Sequence, residues 1–305
     1  MRTRLGRAQG IGPALWGGLS ALAVGAGVLV APGAVAQVAG YDAGPVAGYD
    51  AGPVAGQVAG QGATTAEAAR PAAVADVPAG YYDSAEGLTG DALKAELNDI
   101  ISAADALSYS EVWDGLMATD EDPADPDNVI LLYSGESRAK NLNGGDVGDW
   151  NREHVWAKSH GDFGTSTGPG TDLHHLRPTD VQVNSIRGNK DFDEGGSEVS
   201  GAPGNFTDAD SFEPRDEVKG DVARMILYMA VRWEGEDSFA DLEPNDSVNN
   251  GSAPYHGRLS TLLAWNAADP VSDFEVHRND VIYEQFQHNR NPFVDHPEWA
   301  DAIWG

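Results

Sequence analysis

Between residues 38 and 53 the chain writes the same eight residues twice. Val-Ala-Gly-Tyr-Asp-Ala-Gly-Pro fills 38–45 and again 46–53, and a decayed copy begins at Val54. Ala, Gly and Pro then dominate to about residue 80. A tract of this composition buries too little apolar surface to offset the entropy of ordering it. Residues 37–80 are therefore predicted to form a flexible, disordered linker, and folding is confined to the chain beyond it. The repeats would also suit a surface or wall-binding protein, although they carry no specific chemistry.

Ahead of the repeats, Arg2, Arg4 and Arg7 precede an apolar run over about 11–30 and then Ala34-Val35-Ala36 before Gln37. This is the pattern of a signal peptide spanning 1–36. An uncleaved membrane anchor is the alternative, since the run is just long enough to span a bilayer. Its Gly and Ala content and the small-x-small motif favour cleavage. The expectation is a secreted, extracellular protein, periplasmic where the source has an outer membrane, with no membrane contact after processing. The 305-residue chain contains no cysteine, so a disulfide framework, a thiolate metal site and a thiol nucleophile are all excluded.

Beyond residue 80 the apolar pattern becomes regular. Thr89 precedes Leu93, Leu97, Ile100 and Ile101, whose three- and four-residue steps predict a helix with Thr89 at its cap. Residues 128–133 read as a buried strand, and strand-like pieces fall at 152–156 and 173–176. A short helix is predicted from Thr179, with Gln182 completing a capping box. Residues 219–233 predict a strong helix with Val222, Met225, Ile226 and Met229 on its apolar face, and further helices follow over 259–265 and 273–286. With no second linker, residues 81–305 are expected to form one α+β domain.

Nineteen Lys and Arg stand against 48 Asp and Glu, a formal net charge of −29. Taken whole, that argues against a polyanionic partner, because nucleic-acid binding runs on basic surfaces. The charge is uneven, however. Residues 138–190 hold seven basic residues (Arg138, Lys140, Arg152, Lys158, Arg177, Arg187 and Lys190) against six acidic ones, leaving that stretch about neutral. Four of the eight histidines, His154, His160, His174 and His175, fall in it too. The segment reads Asn151-Arg-Glu-His-Val-Trp156, then Asp172-Leu-His-His-Leu-Arg-Pro178, then Val183-Asn-Ser-Ile-Arg-Gly-Asn189.

Hydrolysis of a phosphodiester needs a base for water, neutralised phosphoryl oxygens and a stabilised leaving oxygen, and imidazole, guanidinium and hard oxygen ligands supply them. Each group alone is weak evidence. A single strand histidine is more often a packed structural residue, Glu153 beside Arg152 suits a surface ion pair, and Asn184 suits a polar helix position. His154 and His160 lack the i, i+4 spacing of a zinc helix. In a strand, His174 and His175 would point to opposite faces, so one at most would serve the same site. Their combination is what points to phosphoryl chemistry.

The runs NREHVW and TDLHHLRPTDVQVNSIRGNKDFD resemble the bacterial endonuclease I family, within the His-Me finger (ββα-metal) nuclease superfamily. The likeness extends through YYDSAEGLTGDALKAEL, VILLYSGES, FEPRDEVKGDVARMILYMAVRW and EQFQHNRNPFVDHPEWADAIW, and so covers 81–305. It implies a ββα-metal finger inside a mixed α/β single domain. His154 would be the general base, and Glu153 and Asn184 would hold one divalent cation, Mg²⁺ first, with Mn²⁺ or Ca²⁺ as alternatives. His174 would shape the site, and Arg187 would contact a phosphate. Arg152, Arg177 and Arg290 would be further phosphate contacts, with Lys219 and Arg224 supporting structure. A neutral His154 would take a proton from water attacking in line, leaving 5′-phosphate ends. No base-reading module is present, so the resemblance implies a monomeric, sequence-nonspecific endonuclease on double- and single-stranded DNA, with RNA left open. The rival enzyme class is a secreted metal-dependent phosphodiesterase or phosphatase on small molecules. Glu153 and His154 are adjacent, so both can face one site only where their strand ends or bulges.

Overall fold

The computed structural model describes residues 77–235 and 237–305. The signal segment and the repeats lie outside the described residues. Val77 and Tyr81 already pack against the core.

Helix α1 (Gly90–Ser102) buries Leu93, Leu97 and Ile101 completely, at the spacing read from the sequence. Thr89 does occupy the N-cap, but its hydroxyl makes no capping bond. Helix α2 (Glu111–Thr119) leads into an antiparallel sheet of β1 (Glu121–Asp122), β2 (Asp125–Ile130) and β3 (Ser137–Ala139). The strand expected over 128–133 is displaced towards the N-terminus. Its ladder ends at Ile130, while Leu131, Leu132 and Tyr133 are fully buried outside it. Leu132 N donates to Pro178 O instead, so this apolar run stitches two sheets together.

The next hairpin is the important one. Strand β4 (Trp150–His154) pairs antiparallel with β5 (Leu176–Asp180), from Trp150 opposite Asp180 to His154 opposite Leu176. Helix α3 (Val181–Arg187) follows β5 directly and packs on both strands, making a ββα unit. The cap of α3 is Asp180, not Thr179, and its Oδ1 accepts from the Gln182 and Val183 amides at 2.8 and 3.2 Å. A carboxylate there satisfies two free amides and places negative charge at the positive end of the helix, which a threonine hydroxyl cannot match. The piece expected as a strand at 173–176 is also corrected. His174 and His175 lie in the turn ahead of β5, so strand alternation does not govern where they point.

Short strands β6 (Asp191–Phe192), β7 (Ser197–Glu198), β8 (Phe206–Thr207) and β9 (Ser211–Glu213) form a four-stranded sheet in the order β6-β9-β8-β7. Helix α4 (Lys219–Arg232) is buried from Gly220 to Val231, on every face and not only along the predicted stripe. After the parallel pair β10 (Glu243–Pro244) and β11 (Tyr255–His256) come α5 (Leu259–Ala268) and α6 (Asp273–Val281). A π-helical turn, Ile282–Phe286, continues α6, and α7 (Pro292–Asp295) and α8 (Trp299–Trp304) complete the α+β domain. Helices α1, α5 and α7 pack around α4. A separate apolar cluster holds Trp150 and Leu176 of the hairpin against Val112 and Leu116 of α2. No helix among the described residues is long and apolar enough to cross a membrane.

Candidate active site

Glu153 and His154 from the end of β4, Asn184 from α3 and Arg152 line one cavity of about 380 Å³. Lys158 and Ser159 from the loop after β4, Tyr109 from the turn before α2 and Trp113 from its first turn complete much of its wall. The adjacency of Glu153 and His154 is resolved because β4 ends at His154. Beyond it the backbone turns, held by Arg187, which donates from Nη1 to His154 O at 2.8 Å and from Nη2 to Val155 O at 2.6 Å.

The His154 ring is fixed by the loop it faces. Its Nε2 lies 3.2 Å from Gly170 O. A carbonyl only accepts, so Nε2 carries the proton and Nδ1 keeps a lone pair. His175 repeats the arrangement one carbonyl earlier, with Nε2 donating to Pro169 O at 2.7 Å and Nδ1 accepting from Trp156 N at 3.3 Å. The two rings are 5.7 Å apart. Glycine is required at 170, since a Cβ there would sit 2.6 Å from Gly164 O and 2.9 Å from Thr165 Cα. Burial, then the His175 ring and Lys158, hold His154 well below the ordinary imidazole value, so it is neutral at neutral pH.

His174 and His175 are buried and pushed down to about 4 from 6.5, chiefly by loss of solvent. Unfolded, these rings take protons as pH falls through 6.5; folded, they resist until about 4. Their stabilisation is therefore complete above 6.5 and is lost as pH falls from 6.5 towards 4. Each ring contributes on the order of 3 kcal/mol to that loss. Glu275, pushed up to about 7 by burial, works in the opposite direction over the same range. His154 and His256 are also held low, so the net effect remains a loss on acidification. Urea denaturation at pH 7 and pH 4.5 is expected to show a fall of about 3 kcal/mol or more, and equal midpoints would count against it.

Glu153 is buried and its Oε1 is engaged twice, by the Tyr133 hydroxyl at 2.8 Å and by Arg187 Nη1 at 3.2 Å. Burial pushes its carboxyl up, against the Arg187 charge and the Tyr133 bond. Its Oε2 has no hydrogen-bond partner among the described residues. Asn184 is oriented by donating from Nδ2 to Asn151 Oδ1 at 2.7 Å, and its own Oδ1 has no hydrogen-bond partner among the described residues. The cavity thus receives one carboxylate oxygen and one amide oxygen, a donor pair suited to a hard divalent cation.

The other predicted residues are placed differently. Arg187 is fully buried behind the cavity rather than in its wall, with Nη2 also 3.1 Å from His256 Nε2. Arg177 binds Asp120 at 2.5 Å and Asp221 at 3.2 Å, both inside the protein. Arg290 clasps Asp295 through Nε at 2.8 Å and Nη2 at 2.7 Å, and reaches Asp280 at 2.8 Å. His174 points away, to Asn289 Oδ1 at 3.1 Å, with its ring on Tyr228. His175, not His174, stands beside His154. Arg152 alone of the predicted arginines lines the cavity. Tyr109, Trp113 and Lys158 are site residues that the sequence argument missed. On a short helix with a buried face, Trp113 reads as core, and Lys158 carried no signal beyond its charge.

The endonuclease I family model matches residues 89–298. An extracellular ribonuclease of Bacillus subtilis (strain 168) is 68% identical over 245 residues, spanning 80% of this chain and 85% of that protein. An extracellular ribonuclease of Bacillus amyloliquefaciens is 69% identical over 224 residues, 73% of this chain and 78% of that protein. With a family match over most of the folded region and relatives at this identity, the chain belongs to the endonuclease I family and is a nuclease.

Proposed function

We propose that this protein is a secreted, sequence-nonspecific endonuclease that hydrolyses RNA and DNA, using His154 as general base and one divalent cation held by Glu153 and Asn184 in a His-Me finger. The observation that carries the reading is the contact of His154 Nε2 with Gly170 O. Nε2 is tied to Gly170 O, so Nδ1 is the basic nitrogen of a ring that lines the cavity shared by the Glu153 and Asn184 oxygens. The N-terminal signal pattern and the extracellular naming of both relatives support export. Those relatives are called ribonucleases, which supports RNA as a substrate beside DNA.

His154 Nδ1 takes the proton from the attacking water, and Gly170 O keeps the ring aligned as its charge rises. Arg152 offers guanidinium protons to a phosphoryl oxygen from the cavity wall. Bound between Glu153 and Asn184, Mg²⁺, or Mn²⁺ or Ca²⁺, would supply charge neutralisation at the phosphoryl and leaving oxygens. Because water and not the ribose 2′-hydroxyl is the nucleophile, the sugar does not decide the reaction. Contacts to phosphate carry no base information, so sequence does not decide it either.

The test is the purified protein on plasmid DNA and single-stranded RNA, with Mg²⁺ and with EDTA. Both substrates are expected to be cut to 5′-phosphate ends, and chelation is expected to abolish cutting until Mg²⁺ is restored. Undiminished cutting in EDTA would sink the metal assignment. Cyclic phosphate ends on RNA, with DNA intact, would sink the water mechanism.

A further inference from the structure

We propose that Lys158 joins Arg152 as the phosphate grip of the cavity, the two cations holding adjacent phosphates of one substrate strand; the proposal rests on the hydrolytic function above. Most of the basic residues that make 138–190 neutral are engaged within the protein. Arg138 binds Asp180 and Glu136, and Lys140 binds Glu121. Arg177 and Arg187 are buried in ion pairs, and Lys190 donates to the Thr207 hydroxyl. Arg152 and Lys158 are the members of that set that line the cavity.

Lys158 is exposed and makes no hydrogen bond or ion pair among the described residues. An unpartnered surface lysine is ordinarily just solvated. This one follows His154 by one short turn of chain and shares a cavity wall with the base and with Glu153. Its charge reaches both, favouring the ionised Glu153 and the neutral His154. In a chain of net charge −29, a free cation held at that mouth offers a polyanion one of few favourable contacts.

Arg152 is held quite differently. Its guanidinium carbon lies 3.5 Å from the Tyr109 ring centroid and 4.0 Å from that of Trp113, and Nη1 donates to Tyr109 O at 2.6 Å. Nε and Nη2 remain for a phosphate. The Tyr109 ring also stacks on His154, with centroids 6.0 Å apart, so one aromatic side chain seats both the base and the guanidinium. The fixed Arg152 therefore takes the scissile phosphate next to His154, and the exposed, unpartnered Lys158 takes its neighbour.

Binding of a fluorescent single-stranded oligonucleotide, at one fixed Mg²⁺ concentration and across a NaCl series, reads this directly on the slow-cleaving His154→Ala background, within times short against residual cleavage. Two phosphate contacts give a slope of log affinity against log salt of about −1.4. Adding Lys158→Gln is expected to bring the slope to about −0.7 and to weaken binding about five-fold at 0.1 M salt. Lys158→Arg keeps the charge and is expected to keep the slope. Lys158 is exposed, so an unchanged thermal melt confirms that the variant folds. An unchanged slope and affinity in Lys158→Gln would overturn the grip while leaving the nuclease function standing. Conversely, an intact protein that cuts no nucleic acid, with the slope still shifting on substitution, would overturn the hydrolytic function and leave the binding site.

Discussion

His154→Ala is expected to lower the rate of phosphodiester cleavage by about 10²- to 10⁴-fold, the range contributed by a positioned general base. The loss should fall on kcat rather than on substrate affinity, because the cations and the proposed metal ligands that bind phosphate stay in place. Structure should change little: the ring lines a cavity and makes one hydrogen bond, to Gly170 O. Steady-state kinetics on a defined oligonucleotide, with a thermal melt as control, separate these effects. A variant with more than a tenth of the parent rate would remove His154 from the mechanism. The pH profile adds a second check. A base works deprotonated, and burial holds this imidazole well below its usual value. Its acid limb therefore lies below 6.5, and activity is expected to stay level from pH 8 down to 6.5.

Arg187→Ala is expected to remove about 3–5 kcal/mol of stability, the cost of leaving a buried charge without its partner. Three groups lose a donor together: the carbonyls of His154 and Val155, and the Glu153 carboxylate, which keeps only the Tyr133 hydroxyl. For a domain of this size the melting temperature should fall by roughly 6–20 °C. Arg187→Lys should not rescue it, since one ammonium cannot replace a planar fork that bonds two successive carbonyls. Removing the stranded charge should help: Glu153→Gln on the Arg187→Ala background is expected to recover part of the lost stability, although not activity. A single variant melting within 2 °C of the parent, measured by calorimetry, would show that the pair is not a structural one.

What was legible in the sequence follows chemistry more than geometry. Imidazole, guanidinium and hard oxygen groups in one short segment point to phosphoryl chemistry, but it is the resemblance to the endonuclease I family that singles out Glu153, His154 and Asn184, and the structure puts all three on one cavity. The arginines misled because a sequence displays a charge without its partner. Arg177 answers Asp120, which lies 57 residues away, and Arg290 answers Asp295 and Asp280. His174 and His175 could not be told apart while they were assigned to a strand; in the turn, one packs on Tyr228 and the other stands beside His154. The long helix α4 was read correctly because its apolar spacing survives over 14 residues. The strand at 128–133 was misplaced because a buried apolar run need not end where its ladder ends.

The support of His154 and Glu153 has a consequence for the life of the chain before it folds. The carbonyl that fixes the His154 ring is 16 residues from it, the hydroxyl on Glu153 is 20 residues away, and the arginine that turns the strand is 33 residues from the carbonyl it holds. An extended polypeptide has none of these contacts. Its imidazole samples both tautomers, and its carboxylate is simply hydrated. The arrangement of His154, Glu153 and the groups that hold them therefore arrives only with tertiary structure.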